Sequence, residues 1–338
     1  MGGDLWTAPF AGGTAVNRTP GYKGSLSSLI WPSALFATAI VDDHNAVLTV
    51  DPATGATKTL LSGPVTFQAG EGRVSISRDG KLMASVSEDF TTPPRIGAGP
   101  IAKPRPITHE NDALAPQVTA KSIHWKNEGL DIQGWLTGPL GVEPGKTYPM
   151  IVLVHGGPSS AVQPHLYVEG HDERPGAARR LRLPAEPARL LRPGRGLHPA
   201  VAKDFGGGDL RDILAGVDAM EKAAPIDDKR LGVYGHSYGG FMTMWTVTHS
   251  QRFKAGVADW VSYYGENGIN QWMVPFFGTT AYKDPAACDK FSPIRYIQAA
   301  RTPTFIYVGE GHGIRDAAHK AHLKARILGW FGKYLGQP

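Results

Sequence analysis

The 338 residues are 41% hydrophobic with a formal net charge of +5, a length sufficient for two domains and a composition ordinary for a globular protein. No apolar run reaches the ~18 residues of a membrane-spanning helix, no basic-then-apolar leader opens the chain, and Cys288 stands alone, so an internal disulfide is excluded. Residues 174–199 carry seven Arg against one Glu while the rest holds 28 basic and 29 acidic residues, so the charge is local and argues against a nucleic-acid partner.

In chain order, residues 1–115 read as short strands broken by turn residues. Leu5–Thr7 leads to Gly12-Gly13, and Ala46–Val50 leads through Asp51-Pro52-Ala53-Thr54-Gly55 to Thr57–Leu61. Val74–Ser77 leads through Arg78-Asp79-Gly80-Lys81 to Leu82–Val86. These are hairpin signals that recur loosely, as in propeller blades. A blade takes about 40 residues and a ring at least about four blades, so the region has room for two or three and reads as a partial β-propeller. Residues 92–118, rich in Pro, Ala and Gly, read as a linker.

From residue 116 to 338 the pattern becomes α/β. Lys121–Trp125 and Ile132–Leu136 read as opening antiparallel strands, and the apolar run Met150–Val154 as a buried parallel strand. Leu210, Ile213, Leu214 and Val217 recur at helix spacing with Asp209 as cap. Arg230–Tyr234 reads as a strand and Phe241–His249 as a helix. Lys254–Ala258 and Thr302–Val308 are further strands, and Asp316–Tyr334 is a closing helix.

Two motifs carry chemistry. Gly235-His236-Ser237-Tyr238-Gly239 is G-x-S-x-G between a strand and a helix, the context of a nucleophile elbow. His155-Gly156-Gly157-Pro158 ends the Met150–Val154 strand about 80 residues earlier, where a glycine pair lets backbone N–H groups approach a ligand. As bare patterns, both also describe ordinary glycine turns.

His155–Pro158 and Gly235–Gly240, with Lys203–Leu210, Arg252–Ala255 and Ser292-Pro293-Ile294, resemble the prolyl oligopeptidase family of serine peptidases, most closely its acylaminoacyl-peptidase and dipeptidyl-peptidase-like bacterial members. The resemblance implies an α/β-hydrolase domain over 116–338 preceded by a short β-rich, partial β-propeller domain over 1–115. It implies hydrolysis of a small peptide or ester, with Ser237 as nucleophile and His312 of Gly311-His312-Gly313 as general base. Tyr238 and Gly157 would supply the oxyanion hole. Trp260, Tyr263, Tyr264 and Trp272 would line an apolar substrate pocket. No cofactor, metal or membrane is implied, and the expected compartment is the cytoplasm. His319 and His322, three apart on the closing helix, read as a solvated face rather than a metal site.

Two stretches depart from the family pattern. Residues 174–199 are Arg, Pro, Gly, Ala and Leu apart from Glu186 and His198, where the fold calls for a core strand. Its five prolines argue against a central strand. The composition suggests a compensated reading-frame shift, the alternative being a basic insertion. Second, Tyr307-Val308-Gly309-Glu310 runs directly into Gly311-His312-Gly313, without the acid-bearing loop and strand of the family. Glu310 and Asp316 are substitute acids. The expected function is therefore a serine peptidase, with an esterase-like hydrolase of small esters or a catalytically impaired remnant as alternatives.

Overall fold

Short polar turns shape the N-terminal strands. Asp51, after Val50, accepts hydrogen bonds from the N–H groups of Ala53 and Thr54, which hold its carboxyl below the usual range, and Gly55 closes the turn at φ 77°. Asp79 and Asp89 anchor two further turns in the same way. The computed structural model describes residues 3–67, 72–157, 160–167, 181–186, 204–259, 278–280, 282–307, 314 and 316–336, with the backbone alone for 181–186 and Asp259.

The chain divides into two compact units. The first takes residues up to Gln117 together with residues 163–167. Strands β1 (Trp6–Thr7) and β2 (Val16–Asn17) pair with each other. Strands β3 (Ser25–Ile30), β4 (Phe36–Val41), β5 (His44–Val50) and β6 (Thr57–Gly63) form a sequential antiparallel sheet like a propeller blade. A second sheet joins β7 (Thr66–Phe67), β8 (Ser75–Ile76), β9 (Leu82–Glu88), β10 (Arg95–Pro100) and β11 (Arg105–Pro106). The last two strands overturn the linker reading of 92–118. Gly97 and Gly99 lie within a paired strand, whose ladder to β9 runs from Arg95 to Pro100.

The second unit is built on one seven-stranded sheet. Its strands are β12 (Thr119–Asn127), β13 (Leu130–Gly138), β14 (Tyr148–Val154), β15 (Leu181–Glu186), β16 (Ile226–His236), β17 (Ala255–Asp259) and β18 (Thr304–Tyr307). Their order is β12-β13-β15-β14-β16-β17-β18. The first hairpin is antiparallel, and the strands from β15 to β18 are parallel to one another.

Alternation along the strands decides which face each helix covers. Met150, Val152 and Val154 of β14 and Leu231 and Val233 of β16 point to one face. There they meet α1 (Gly207–Ala223) through Ile213, Val217 and Met220, and α2 (Tyr238–His249) through Phe241 and Met242. Ile151, Ala255 and Val257 point to the other face and meet Leu323, Ile327, Phe331 and Leu335. Those four come from α4 (Ala317–Leu335), which follows the short α3 (Pro285–Asp289). Both helix layers therefore bury a full stripe against a sheet that is apolar on both sides.

Strand β15 contradicts the expectation that 174–199 holds no strand. Leu181–Glu186 pairs parallel with β14 along Met150–Val154. On the β13 side its pairs are Gln133 with Glu186, Gly134 with Ala185 and Thr137 with Arg182. The ladder thus skips Leu183 and Pro184, the place where a residue without an N–H cannot donate.

Helix α1 docks on β12 through a close approach. A Cβ on Gly216 would stand 2.7 Å from the Trp125 ring, whereas one on Gly329 in α4 would meet nothing within 4 Å. Gly216→Ala is expected to destabilise the protein by about 1–3 kcal/mol through overpacking. Gly329→Ala is expected to stabilise it by up to about 1 kcal/mol through helix propensity. Urea midpoints of the two variants should move in opposite directions.

Candidate active site

Strands β14 and β16 are neighbours, with Val154 in register with Gly235. The loops leaving their C-terminal ends are therefore side by side, the usual place for a site in a parallel α/β sheet. One loop carries His155–Gly157 and the other carries Ser237.

Ser237 has φ 59° and ψ −121°. This is backbone that an L-residue adopts only under constraint, at a cost of about 1–3 kcal/mol. The constraint is visible in the glycines around it. A Cβ on Gly239 would lie 2.0 Å from the Val154 carbonyl oxygen, and one on Gly235 would lie 2.2 Å from the Gly239 backbone. Strand, turn and helix cross too closely for side chains, so the sharp turn is kept and Ser237 stands at its apex.

The second loop closes on Ser237. A Cβ on Gly156 would be 3.4 Å from the Ser237 Cβ and 3.9 Å from its Oγ. Gly157 follows at φ 129°, backbone available to glycine, and is exposed. Tyr238 is the first residue of α2, where helix geometry leaves N–H groups for an acceptor outside the helix. The dipole of α2 adds positive potential at the same point. Ser237, Gly157 and Tyr238 are thus carried by two adjacent loops.

His155 sets the tautomer of its own ring. Its Nδ1 lies 2.6 Å from the Gly156 carbonyl oxygen. A carbonyl only accepts, so Nδ1 carries the proton and Nε2 is bare. That Nε2 is buried and has no hydrogen-bond partner among the described residues. Burial pushes the imidazole pKa down from its ordinary value, partly offset by the Gly156 contact, so His155 is neutral. The Gly156 carbonyl and the Gly157 N–H belong to one peptide plane, and holding the first orients the second.

Residues 192–310 match the model of the prolyl oligopeptidase family. Over that span, within its α/β part, the chain is similar to that family. Among curated proteins it is 34% identical over 216 residues to the peptidase YuxL of Bacillus subtilis, covering 60% of this chain and 32% of that one. It is 25% identical over 337 residues to dipeptidyl-peptidase 5 of Porphyromonas gingivalis, covering 90% of this chain and 47% of that one. The chain spans about a third to a half of the length of these relatives. The acylaminoacyl peptidase of Pyrococcus horikoshii superposes with a TM-score of 0.76 at 18% identity, over 96% of this chain and 58% of that one. That likeness concerns the fold, a propeller-type β-domain followed by an α/β-hydrolase domain.

Several expected site residues, His312, Trp260, Tyr263, Tyr264 and Trp272, lie outside the described residues, as does the substitute acid Glu310. The other substitute acid, Asp316, caps α4 by accepting the His319 N–H at 2.9 Å, which lowers its pKa. Its carboxylate is engaged in helix capping. Asp209 is not the cap of α1, since the helix starts from Gly206 at φ 81° and Asp209 lies in its first turn. Its buried carboxylate accepts a hydrogen bond from the Tyr238 hydroxyl. Sequence periodicity marks an acidic residue at a helix start and says nothing of that partner. Asp259, beside the expected pocket residue Trp260, ends β17 in register with His236. His319 and His322 are exposed, and Arg326 donates to His322 Nε2 at 2.8 Å. Among the described residues no cluster of three or more His, Cys, Asp or Glu could hold a metal.

The buried neutral state of His155 has a pH consequence. Unfolded, the imidazole titrates near pH ~6.5. Folded, it titrates lower, so the unfolded state binds more protons as pH falls below ~6.5 and stability is lost there. Above that pH the contribution is fully present. In His155→Asn the amide can donate to the same carbonyl without titrating. Urea midpoints at about pH 8 and about pH 5 should differ less in the variant than in the parent; equal differences would show that His155 does not titrate on unfolding.

Proposed function

We propose that the chain is a serine hydrolase that cleaves short peptides through an acyl-enzyme. Ser237 Oγ attacks the scissile carbonyl carbon while its proton passes to His312. The oxyanion of the tetrahedral intermediate is held by the N–H groups of Tyr238 and Gly157. Collapse expels the amine, which takes the proton back from His312, and water then repeats the sequence to release the acid. Trp260, Tyr263, Tyr264 and Trp272 form an apolar pocket beside the scissile bond in this reading. The observation that carries it is the backbone of Ser237, held at φ 59° between the Gly235–Gly239 crossing and the approaching Gly156.

A second reading has its own support. Residues 308–316 are all that separate β18 from α4, and Asp316 is engaged in capping. In a worked serine-protease case, loss of the triad acid costs about 10⁴ in kcat. A weakly held imidazole favours small esters, whose leaving groups need less protonation than an amine. An esterase-like activity, or an impaired remnant, is the outcome if no acid supports His312.

The test is labelling with a fluorophosphonate alongside turnover of p-nitrophenyl acetate and of short peptide amides. The expected result is a label on Ser237, lost in Ser237→Ala, with ester turnover lowered about 10²-fold or more in that variant. Folded protein that neither labels nor turns over would reduce the hydrolase to ancestry. A label that survives Ser237→Ala would place the nucleophile elsewhere.

A further inference from the structure

We infer that the buried hydrogen bond from the Tyr238 hydroxyl to the Asp209 carboxylate is a clamp that holds the nucleophile elbow and aims the Tyr238 N–H at the oxyanion. Its catalytic consequence rests on the hydrolase reading above; its mechanical part does not. Asp209 is a positioning residue in this account, acting through Tyr238.

The clamp joins two helices at their first turns. Tyr238 opens α2 and Asp209 is the third residue of α1, and both are almost fully buried, at 3% and 1% exposure. A buried carboxylate is costly unless it is held by donors or a favourable field. At this position it has the N-terminal field of α1 behind it and the tyrosine hydroxyl in front. The turn before α1 fits the same purpose. Phe205 packs edge-on against the Tyr238 ring at 5.2 Å and against Phe241 at 4.9 Å. A Cβ on Gly206 would lie 3.2 Å from both Phe241 and Trp245. The residues before and within the first turn of α1 are therefore fitted closely to the first two turns of α2.

The side chain that is clamped belongs to the residue whose N–H is the proposed oxyanion donor. Its ring is fixed at one end by the backbone and at the other by Asp209. The adjacent peptide leads directly into Ser237 at φ 59°, a conformation that relaxes if its surroundings loosen. An oxyanion donor contributes only when aimed before the charge develops. Holding Tyr238 at its hydroxyl is a means of keeping its N–H in place at the backbone end of the same residue.

The experiment compares the parent with Tyr238→Phe, Asp209→Asn and Asp209→Ala by amide hydrogen exchange and by ester turnover. Tyr238→Phe keeps the ring and its packing and loses only the hydroxyl. Exchange of the 236–241 segment is expected to rise about tenfold, with the α4 segment changing less than about twofold. kcat is expected to fall about tenfold with KM within about twofold. Asp209→Asn, which keeps an acceptor oxygen, should lie between the parent and Asp209→Ala in both readouts.

Unchanged exchange in Tyr238→Phe would overturn the clamp whatever the activity. A rise spread evenly over the chain would make the pair an ordinary stability element and would also overturn it. A local rise in a parent that hydrolyses, with kcat unaltered, would overturn the positioning role. A local rise in a parent that neither labels nor turns over would uphold the clamp and remove the hydrolase reading.

Discussion

The crossing of α2 over the end of β14 is the constraint on which the rest of the site depends. Gly239 lies so close to the Val154 carbonyl that a single carbon added there would sit 2.0 Å from its oxygen. Such an approach is possible only because β16 leaves the sheet next to β14 and turns at once into a helix. The turn forces Ser237 into left-handed φ, and the strain is borne by packing over both faces of the sheet. The same closeness leaves no more than one carbon's room between Gly156 and Ser237, since a Cβ on Gly156 would already touch the serine side chain. One steric fact thereby fixes Ser237 and the loop that faces it.

That arrangement needs a sheet rigid enough to hold it. Strands β14 and β16 are apolar on both faces, with Val152 and Val233 toward α1 and α2 and Ile151 toward α4. Arg252 adds polar ties at the rim of this layer, pairing with Asp218 and Glu221 of α1. Trp125 and Asn127 of β12 donate hydrogen bonds to the Asp212 carbonyl and carboxylate respectively, fastening α1 to the first hairpin. Buried polar groups in this half of the protein are thus used to fix α1, and α1 in turn presents Asp209 to Tyr238. The support of the elbow reaches from β12 through α1 to the first residue of α2.

Much of this was legible from the residues because its determinants are local. Apolar runs and strand- or helix-compatible stretches announced β14, β16, α2 and α4 to within a few residues. The glycine spacing around Ser237 announced the elbow, since no other residue type satisfies the crossing. The failures have equally physical causes. Arg95–Pro100 looked like linker because Gly and Pro dominate it, yet an edge or twisted strand can carry both when its partner β9 supplies the ladder. Leu181–Glu186 looked barred from the sheet by Pro184, and the structure accommodates the proline by leaving a gap in the ladder to β13. Asp209 was read as a cap because its position in sequence is that of one. Its actual partner is 29 residues away, and contacts at that range leave no periodic trace.

The remaining question of mechanism turns on how much of catalysis a preorganised oxyanion site can deliver when the base is weakly supported. Removing triad members from a serine protease leaves a residual enhancement of about 10³–10⁴ over water, supplied by the oxyanion hole and binding. On the hydrolase reading proposed above, Ser237, Gly157 and Tyr238 would supply the parts of that residual. Ser237 is held at the elbow, His155 holds the Gly156–Gly157 peptide while remaining neutral, and Asp209 holds Tyr238 from the opposite side. The two proposed donors are fixed by independent devices, one from the β14 loop and one from α1, so loss of either leaves the other in place. On that reading, activity would be lost by degrees as the imidazole is weakened, and substrates would shift toward acyl groups with better leaving groups. Under the same proposal ester cleavage would persist longest, because it demands least of the residue that must protonate the departing group.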